Sequence, residues 1–245
     1  VSDEPHTLDG FLGNRLSVAQ PRRGFRAGHD SVLLAASVPA QANDQALELG
    51  SGVGVASLCL AARVGTCRIT GIEIDPGLVA TANENAARND MSSRVGFLCA
   101  DVRESGFTRP SFDHVFLNPP FHPASGQASF DAARDRAMRD SDDALTSWTA
   151  LAFGLVRPGG SVSVILRADR VEAWRGTFVC KGVLLPLAPR QGEVPKRAIA
   201  RLSPGGPASW QVLPPFVLHR ADGRATEASD AVLRHGAPLT LDGPA

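Results

Sequence analysis

The chain has 245 residues, 25 basic and 25 acidic side chains, a formal net charge of zero and four cysteines. That length supports one large α/β domain with a full core and hardly two. Charge balance leaves a nucleic-acid partner open, since phosphate binding needs a local basic surface rather than a basic average. The cysteines (Cys59, Cys67, Cys99, Cys180) form no C-x-x-C pair, and no Cys/His cluster has zinc spacing, so no metal is expected. No stretch approaches the ~20 apolar residues that span a bilayer. Asp3, Glu4 and His6 stand where a signal peptide would be basic and then apolar. A cytoplasmic protein with reduced thiols is the expectation.

In chain order, residues 1–28 read as an N-terminal extension, 29–205 as a catalytic core and 206–245 as a C-terminal extension of one domain. The extension shows little apolar periodicity and carries Arg15, Arg22, Arg23 and Arg26 without an acid from Asn14 to His29. A helix is predicted from Asp30, as N-cap, through Val32, Leu33, Leu34 and Ala36 to Pro39. Strand and helix then alternate: strand Ala46–Leu49, helix Val55–Val64, strand Arg68–Ile74, helix Leu78–Asn89, strand Val95–Cys99 and strand Phe112–Leu117. Helix Asp143–Val156, closed by Arg-Pro-Gly-Gly, and strand Val162–Leu166 complete the series. That rhythm means βαβ units, a mostly parallel sheet and helices on both faces. Val183–Leu187 and Lys196–Leu202 are joined by too short a loop for a crossover and should pair antiparallel. The expected fold is α/β and Rossmann-like, a mostly parallel seven-stranded sheet ending in an antiparallel hairpin with helices on both faces, a pattern that resembles class I methyltransferases. The segment around Trp210, Phe216 and Val217 offers one more edge strand, and no element is placed after Arg220.

Glu48-Leu-Gly50-Ser51-Gly52-Val-Gly54 joins the first of these strands to its helix. Such glycines let the backbone turn sharply and approach a ligand, with free N–H groups at the helix start. Glu73 lies nineteen residues past Gly54, at the end of the next strand, where a carboxylate accepts from the ribose hydroxyls of an adenosine ligand. The dinucleotide fingerprint needs glycine spacings of two and then three; here they are two and two, with Val55 at the third glycine's place. Glu48 would repel a pyrophosphate and suits the cationic amino end of S-adenosylmethionine. Asp101, after the third strand and before Val102, is placed to accept from an adenine amine.

Asn118-Pro119-Pro120-Phe121 follows the fourth strand, beside the first, at the switch point where α/β sheets bind ligands. An exocyclic amine or an amide is planar, and its delocalised lone pair is a poor nucleophile. The Asn118 side-chain oxygen and the Pro119 carbonyl can hold its two N–H groups and aim the lone pair at a sulfonium methyl. Proline fixes φ, presenting the carbonyl rigidly, and Phe121 offers a face for stacking. Positioning and dipoles then carry the catalysis without a strong general base.

With these motifs in place, the stretch from Gln20 to about Arg201 resembles the tRNA1(Val) adenine-N6 methyltransferase family. The matching pieces are Gly28-His29-Asp30-Ser-Val-Leu-Leu-Ala-Ala36, Glu48–Gly54, Gly71-Ile-Glu73-Ile74-Asp75, Asn118–Phe121 and Pro195-Lys196-Arg197. The resemblance implies that His29 and Asp30 approach the methionine end of the cofactor, and that Glu73, Ile74, Asp101 and Val102 hold the adenosine. Family members often carry Thr at the place of His29 and Tyr at that of Phe121. Asn-Pro-Pro-Phe-His122 is also similar to ribosomal RNA guanine-N2 methyltransferases, and Asn-Pro-Pro-aromatic is shared with enzymes that methylate a glutamine amide in release factors. These acceptors stay open. A protein that binds the cofactor and RNA without catalysis is a reading from another class, against which the intact Asn118–Phe121 speaks. Phosphate contacts are expected from Arg22, Arg23, Lys196 and Arg197, with His122 near the target base and tRNA as partner. Residues 124–143 carry mixed charges and little apolar pattern, as a substrate loop would.

Overall fold

A computed structural model describes residues 6–24, 26–104, 106–107, 110–119, 141–205 and 207–241. Strands β1 (His6–Phe11) and β2 (Leu16–Pro21) form an antiparallel hairpin. Then come α1 (His29–Ser37), β3 (Gln45–Leu49), α2 (Val55–Arg63), β4 (Arg68–Glu73), α3 (Pro76–Arg88), β5 (Val95–Cys99) and β6 (Phe112–Leu117). They are followed by α4 (Ser141–Leu155), β7 (Val156–Arg167), α5 (Val171–Arg175), β8 (Lys181–Arg190) and β9 (Arg197–Ser203). The short β10 (Ser209–Val212) and β11 (Phe216–His219) precede α6 (Glu227–His235).

The main sheet runs β5-β4-β3-β6-β7-β9-β8, with β10 and β11 both pairing along the outer side of β8. Strands β3 to β7 are parallel, and β9 is antiparallel to both β7 and β8. The expected seven strands and terminal hairpin are therefore present, widened to nine by two edge strands rather than one. Strand β6 shows why a buried parallel strand reads as an apolar run: Phe116 faces one core, Val115 and Leu117 the other, and all three are fully buried. Helices α1, α2, α3 and α6 cover the first face, and α4 and α5 the second. Truncating a side chain such as Phe116 to alanine would cost about 3–5 kcal/mol.

Some expectations need correction. Residues 6–21 are not featureless: Leu12, Leu16 and Val18 are buried against α2 and α3, and the hairpin is part of the core. Gly28, not Asp30, is the N-cap of α1: the helix starts at His29, Asp30 is its second residue, and the Asp30 carboxylate is taken by Arg197. Residues 171–175 form a short helix, α5, that sequence reasoning did not place. Strand β7 begins at Val156 and runs through Arg-Pro-Gly-Gly, its register with β6 shifting between Phe112 and His114. After Arg220, α6 forms under a Thr226 cap whose hydroxyl accepts from the Ser229 N–H, and it ends at Gly236 in the left-handed region.

Candidate functional site

The sheet registers place the motifs on one rim. Leu49 of β3 is level with Leu117 of β6 and Ile72 of β4, and Glu73 is level with Cys99 of β5. Leu117 is level with Val164 of β7, and Arg167 with Arg197 of β9. Read across the sheet, Asp101, Glu73, the glycine loop, Asn118 and Arg197 therefore share the carboxyl edge.

The loop is tied from behind. The N–H groups of Gly50 and Ser51 both donate to the Ile72 carbonyl at 2.9 Å. Gly50, Gly52 and Gly54 all have positive φ. A methyl group on Gly54 would lie 2.5 Å from the Phe97 ring, and one on Gly50 2.7 Å from the Trp148 ring, so side chains are excluded there. Gly52, at φ +54°, has no heavy atom within 4 Å of that position and presents an open backbone surface. Sequence reasoning missed Phe97 and Trp148, which read only as core aromatics. It also missed Asn85, fully buried on α3, whose Nδ2 donates to the Val53 carbonyl at 3.1 Å. An asparagine inside a helix carries no signal of that role.

Glu48 is buried beneath the loop, where its carboxyl accepts from the Ser57 N–H at 3.0 Å and the Ser57 hydroxyl at 2.5 Å. Burial pushes its pKa up to about 8 against the opposing Ser57 hydrogen bonds. Here it supports the start of α2 and does not face the open side. The Glu73 carboxylate sits at the end of β4 and accepts from the N–H groups of Gly52 (2.9 Å), Ile74 (2.8 Å) and Asp75 (3.1 Å). These bonds fix the carboxylate beside the open surface and leave about one acceptor site, on Oε2, for a ribose hydroxyl. Ile74 is 56 % exposed, an apolar face next to that carboxylate. Asp101 receives a two-pronged contact from Arg103, at 3.1 and 2.7 Å, which holds its carboxyl below the usual range. Val102 is buried just behind it.

Two polar atoms on this rim are buried without a hydrogen-bond partner among the described residues: Ser51 Oγ and Asn118 Oδ1. A buried oxygen in that state costs about 1–3 kcal/mol, so its retention points to a ligand. Pro119 beside Asn118 is buried and brings no N–H. Pro120, Phe121, His122 and most of residues 124–143 lie outside the described residues.

At the far side of the rim, Arg197 Nε donates to Asp30 Oδ2 at 3.0 Å, joining the start of β9 to the first turn of α1 next to the exposed His29. The structure thus joins Arg197 to the residue expected at the methionine end. Lys196 is exposed beside it. In the N-terminal basic stretch all four arginines are exposed; Arg15 donates to the His235 carbonyl, Arg26 pairs with Asp9, and Arg22 and Arg23 lie in the bend after β2. Among the described residues no His, Cys, Asp and Glu cluster is arranged to hold a metal, and no helix is long and apolar enough to cross a membrane.

The donor set suits a nucleoside with a charged tail: an open glycine backbone, a fixed carboxylate for a ribose hydroxyl, an exposed apolar face and unpartnered oxygens toward β6. Comparison with known proteins agrees. Residues 26–157 match the family model described as methyltransferase small domain. The chain is 33% identical over 175 residues to a tRNA1(Val) (adenine(37)-N6)-methyltransferase of Porphyromonas gingivalis, covering 68% of each protein. It is 30% identical over 226 residues to a protein of the same name from Aeromonas hydrophila, covering 87% of this chain and 91% of that one. In fold it is similar to a crystal structure titled as a predicted O-methyltransferase from Agrobacterium tumefaciens. That match has a TM-score of 0.72 at 23% identity and covers 86% of this chain and 98% of the other. The chain is thus a Rossmann-like, S-adenosylmethionine-dependent methyltransferase and belongs to the methyltransferase small domain family.

Proposed function

We propose that this enzyme methylates the exocyclic N6 amine of an adenine in tRNA, in the cytoplasm. The observation that carries the proposal is Asn118 Oδ1, buried without a partner among the described residues at the end of β6, next to the glycine loop and followed by a proline. The curated relatives named as tRNA adenine-N6 methyltransferases support the same acceptor.

In this reading Glu73 takes a ribose hydroxyl, Ile74 and Val102 flank the adenine and Asp101 accepts its amine. Gly50, Ser51, Gly52 and Gly54 pass beneath the methionine portion, with Glu48 bracing them from below. His29 and Asp30, held by Arg197, close the far end. S-adenosylmethionine supplies an activated methyl on a sulfonium, so the protein needs no strong base. Asn118 Oδ1 and the Pro119 carbonyl accept the two N–H groups of the target amine, drawing the nitrogen out of conjugation. Phe121 would offer its ring to the base, with Pro120 and His122 as further residues of the same motif, all three outside the described residues. Arg22, Arg23 and Lys196 meet phosphates. A base stacked in this way must be unpaired or flipped, which favours a loop of the tRNA over a duplex.

The test is to incubate the purified protein with methyl-labelled S-adenosylmethionine and unmodified tRNA, and digest the RNA to nucleosides. Label in N6-methyladenosine is expected. Label in N2-methylguanosine, or only in a protein glutamine, overturns the adenine acceptor.

A further inference from the structure

The β1–β2 hairpin is fastened to α3 by two asparagines one helical turn apart. The Ala19 N–H donates to Asn85 Oδ1 at 2.8 Å, and Asn85 Nδ2 donates to the Ala19 carbonyl at 3.0 Å. The Ser17 N–H donates to Asn89 Oδ1 at 3.0 Å, and Asn89 Nδ2 returns to the Ser17 carbonyl at 2.9 Å. Each side-chain amide thus pairs with a strand residue as a neighbouring strand would. The clamps also fix direction. Ser17 lies at the carboxyl end of α3, so β2 climbs toward the start of α3, which follows Glu73 on the cofactor rim. His6, paired with Pro21, sits at the same upper end.

Above the clamps the hairpin and the helix leave a groove of about 490 Å³, lined among others by His6, Leu8, Arg22, Thr81, Glu84 and Arg88. It runs down the flank of α3 from the rim side. Two guanidinium groups line it against one carboxylate, and His6 and two threonines add uncharged polar groups. Arg23, next in the chain to Arg22, is exposed. Leu8 is 65 % exposed, an apolar surface among these polar groups. The volume is within the range that takes small ligands, but the groove is a trench along the surface, as suits a polymer passing through. Arg donors with one apolar platform are what a ribose-phosphate chain meets: phosphate oxygens on the guanidiniums, a sugar or base face on Leu8.

We propose that this groove is a second RNA contact, holding the backbone of tRNA away from the target base. The proposal rests on RNA being the acceptor. It assigns His6, Leu8 and Arg88 to substrate binding and gives the N-terminal hairpin a purpose beyond covering α3. The asparagine clamps keep the two walls in register, so the RNA meets a formed surface.

Leu8 permits a test that breaks no internal hydrogen bond. Its side chain is exposed, so Leu8→Lys and Leu8→Glu change only the charge of the groove. Val179 is 82 % exposed just before β8, at the end of the sheet opposite the rim, and Val179→Lys and Val179→Glu report what one charge does elsewhere. Binding of unmodified tRNA is measured against salt concentration for all four variants and the parent. The expected result is opposite shifts at Leu8. Lysine should tighten and glutamate weaken binding by about three- to tenfold, the slope of log K against log salt changing by about one in each direction. Cofactor affinity should stay as in the parent, and the Val179 pair should shift less than twofold. Equal effects at Leu8 and Val179, or none at either, overturn the groove while leaving tRNA as acceptor. If the parent neither binds nor methylates tRNA, the acceptor reading fails and the groove with it.

Discussion

Strand β6 ends in two opposite ways. At its start His114 is 8 % exposed and both ring nitrogens are engaged. Nε2–H donates to the Asp44 carboxylate at 3.0 Å, and since a carboxylate only accepts, Nδ1 is left to accept from the Ser161 hydroxyl at 2.9 Å. Next to it Asp113 accepts from Arg157 and from the Gln45 N–H. Four residues on, at the other end, Asn118 has a buried oxygen with no partner among the described residues. A Ser-His-Asp set would attract attention as catalytic, yet here it is closed off and fully paired, binding β6 to β7 and to the turn before β3. The unpaired oxygen is the one with bonding capacity to spend on a ligand. Along β6 the saturated set ties strands together, and the oxygen with bonding capacity to spare lies on the carboxyl edge.

That contrast can be broken by exchanging readouts between the two ends. On the rim, Glu73→Ala should weaken S-adenosylmethionine binding by about 1.5–3 kcal/mol, the worth of hydrogen bonds to a charged group, as measured by calorimetry. Unchanged affinity would remove Glu73 from the cofactor site. At the paired end, His114→Ala should lower unfolding free energy by about 2–3 kcal/mol in urea, from lost hydrogen bonds and a small cavity, with kcat unaltered. A loss of turnover in a folded His114→Ala protein would mean the closed set takes part in the reaction.

A smaller effect comes from pH, and its sign differs between the ends. Burial holds the His114 pKa below 6.5 despite Asp44. The folded state then binds fewer protons there, so this contribution is full above pH 6.5 and is lost as pH falls below it. Glu48, raised from 4.5 to about 8, does the reverse: its contribution is full below pH 4.5 and is lost as pH rises toward 8. Stability profiles should show Glu48→Gln removing the loss on the alkaline side and His114→Ala removing part of the loss on the acid side. Identical profiles for both variants would contradict the two environments.

How much of this was legible in the sequence follows from what each residue needs. The central strands and helices could be read because parallel β3 to β7 are apolar on both faces and are separated by glycine and proline punctuation. That the glycine loop, Glu73 and Asn118 meet on one edge could be read because each follows the end of a parallel strand. The N-terminal hairpin was hidden because the hydrogen bonds that fasten it to the core come from Asn85 and Asn89, more than sixty residues away. Helix α6 was overlooked although Thr226 and Gly236 marked its ends; it is amphipathic but short and polar on average, with few apolar residues besides Val232 and Leu233. The pairing of Arg197 with Asp30 spans 167 residues and has no local signature, so Arg197 read as a free cation.

The contrast along β6 is tested most directly with Asn118→Ala, by measuring single-turnover methyl transfer and S-adenosylmethionine affinity in the same preparation. If the unpaired oxygen holds the target amine, transfer should fall by about two to three orders of magnitude, as when one fixed catalytic dipole is removed. Cofactor affinity should stay largely intact. Transfer at the parental rate, or a loss of cofactor binding that accounts for the whole decrease, would contradict the account.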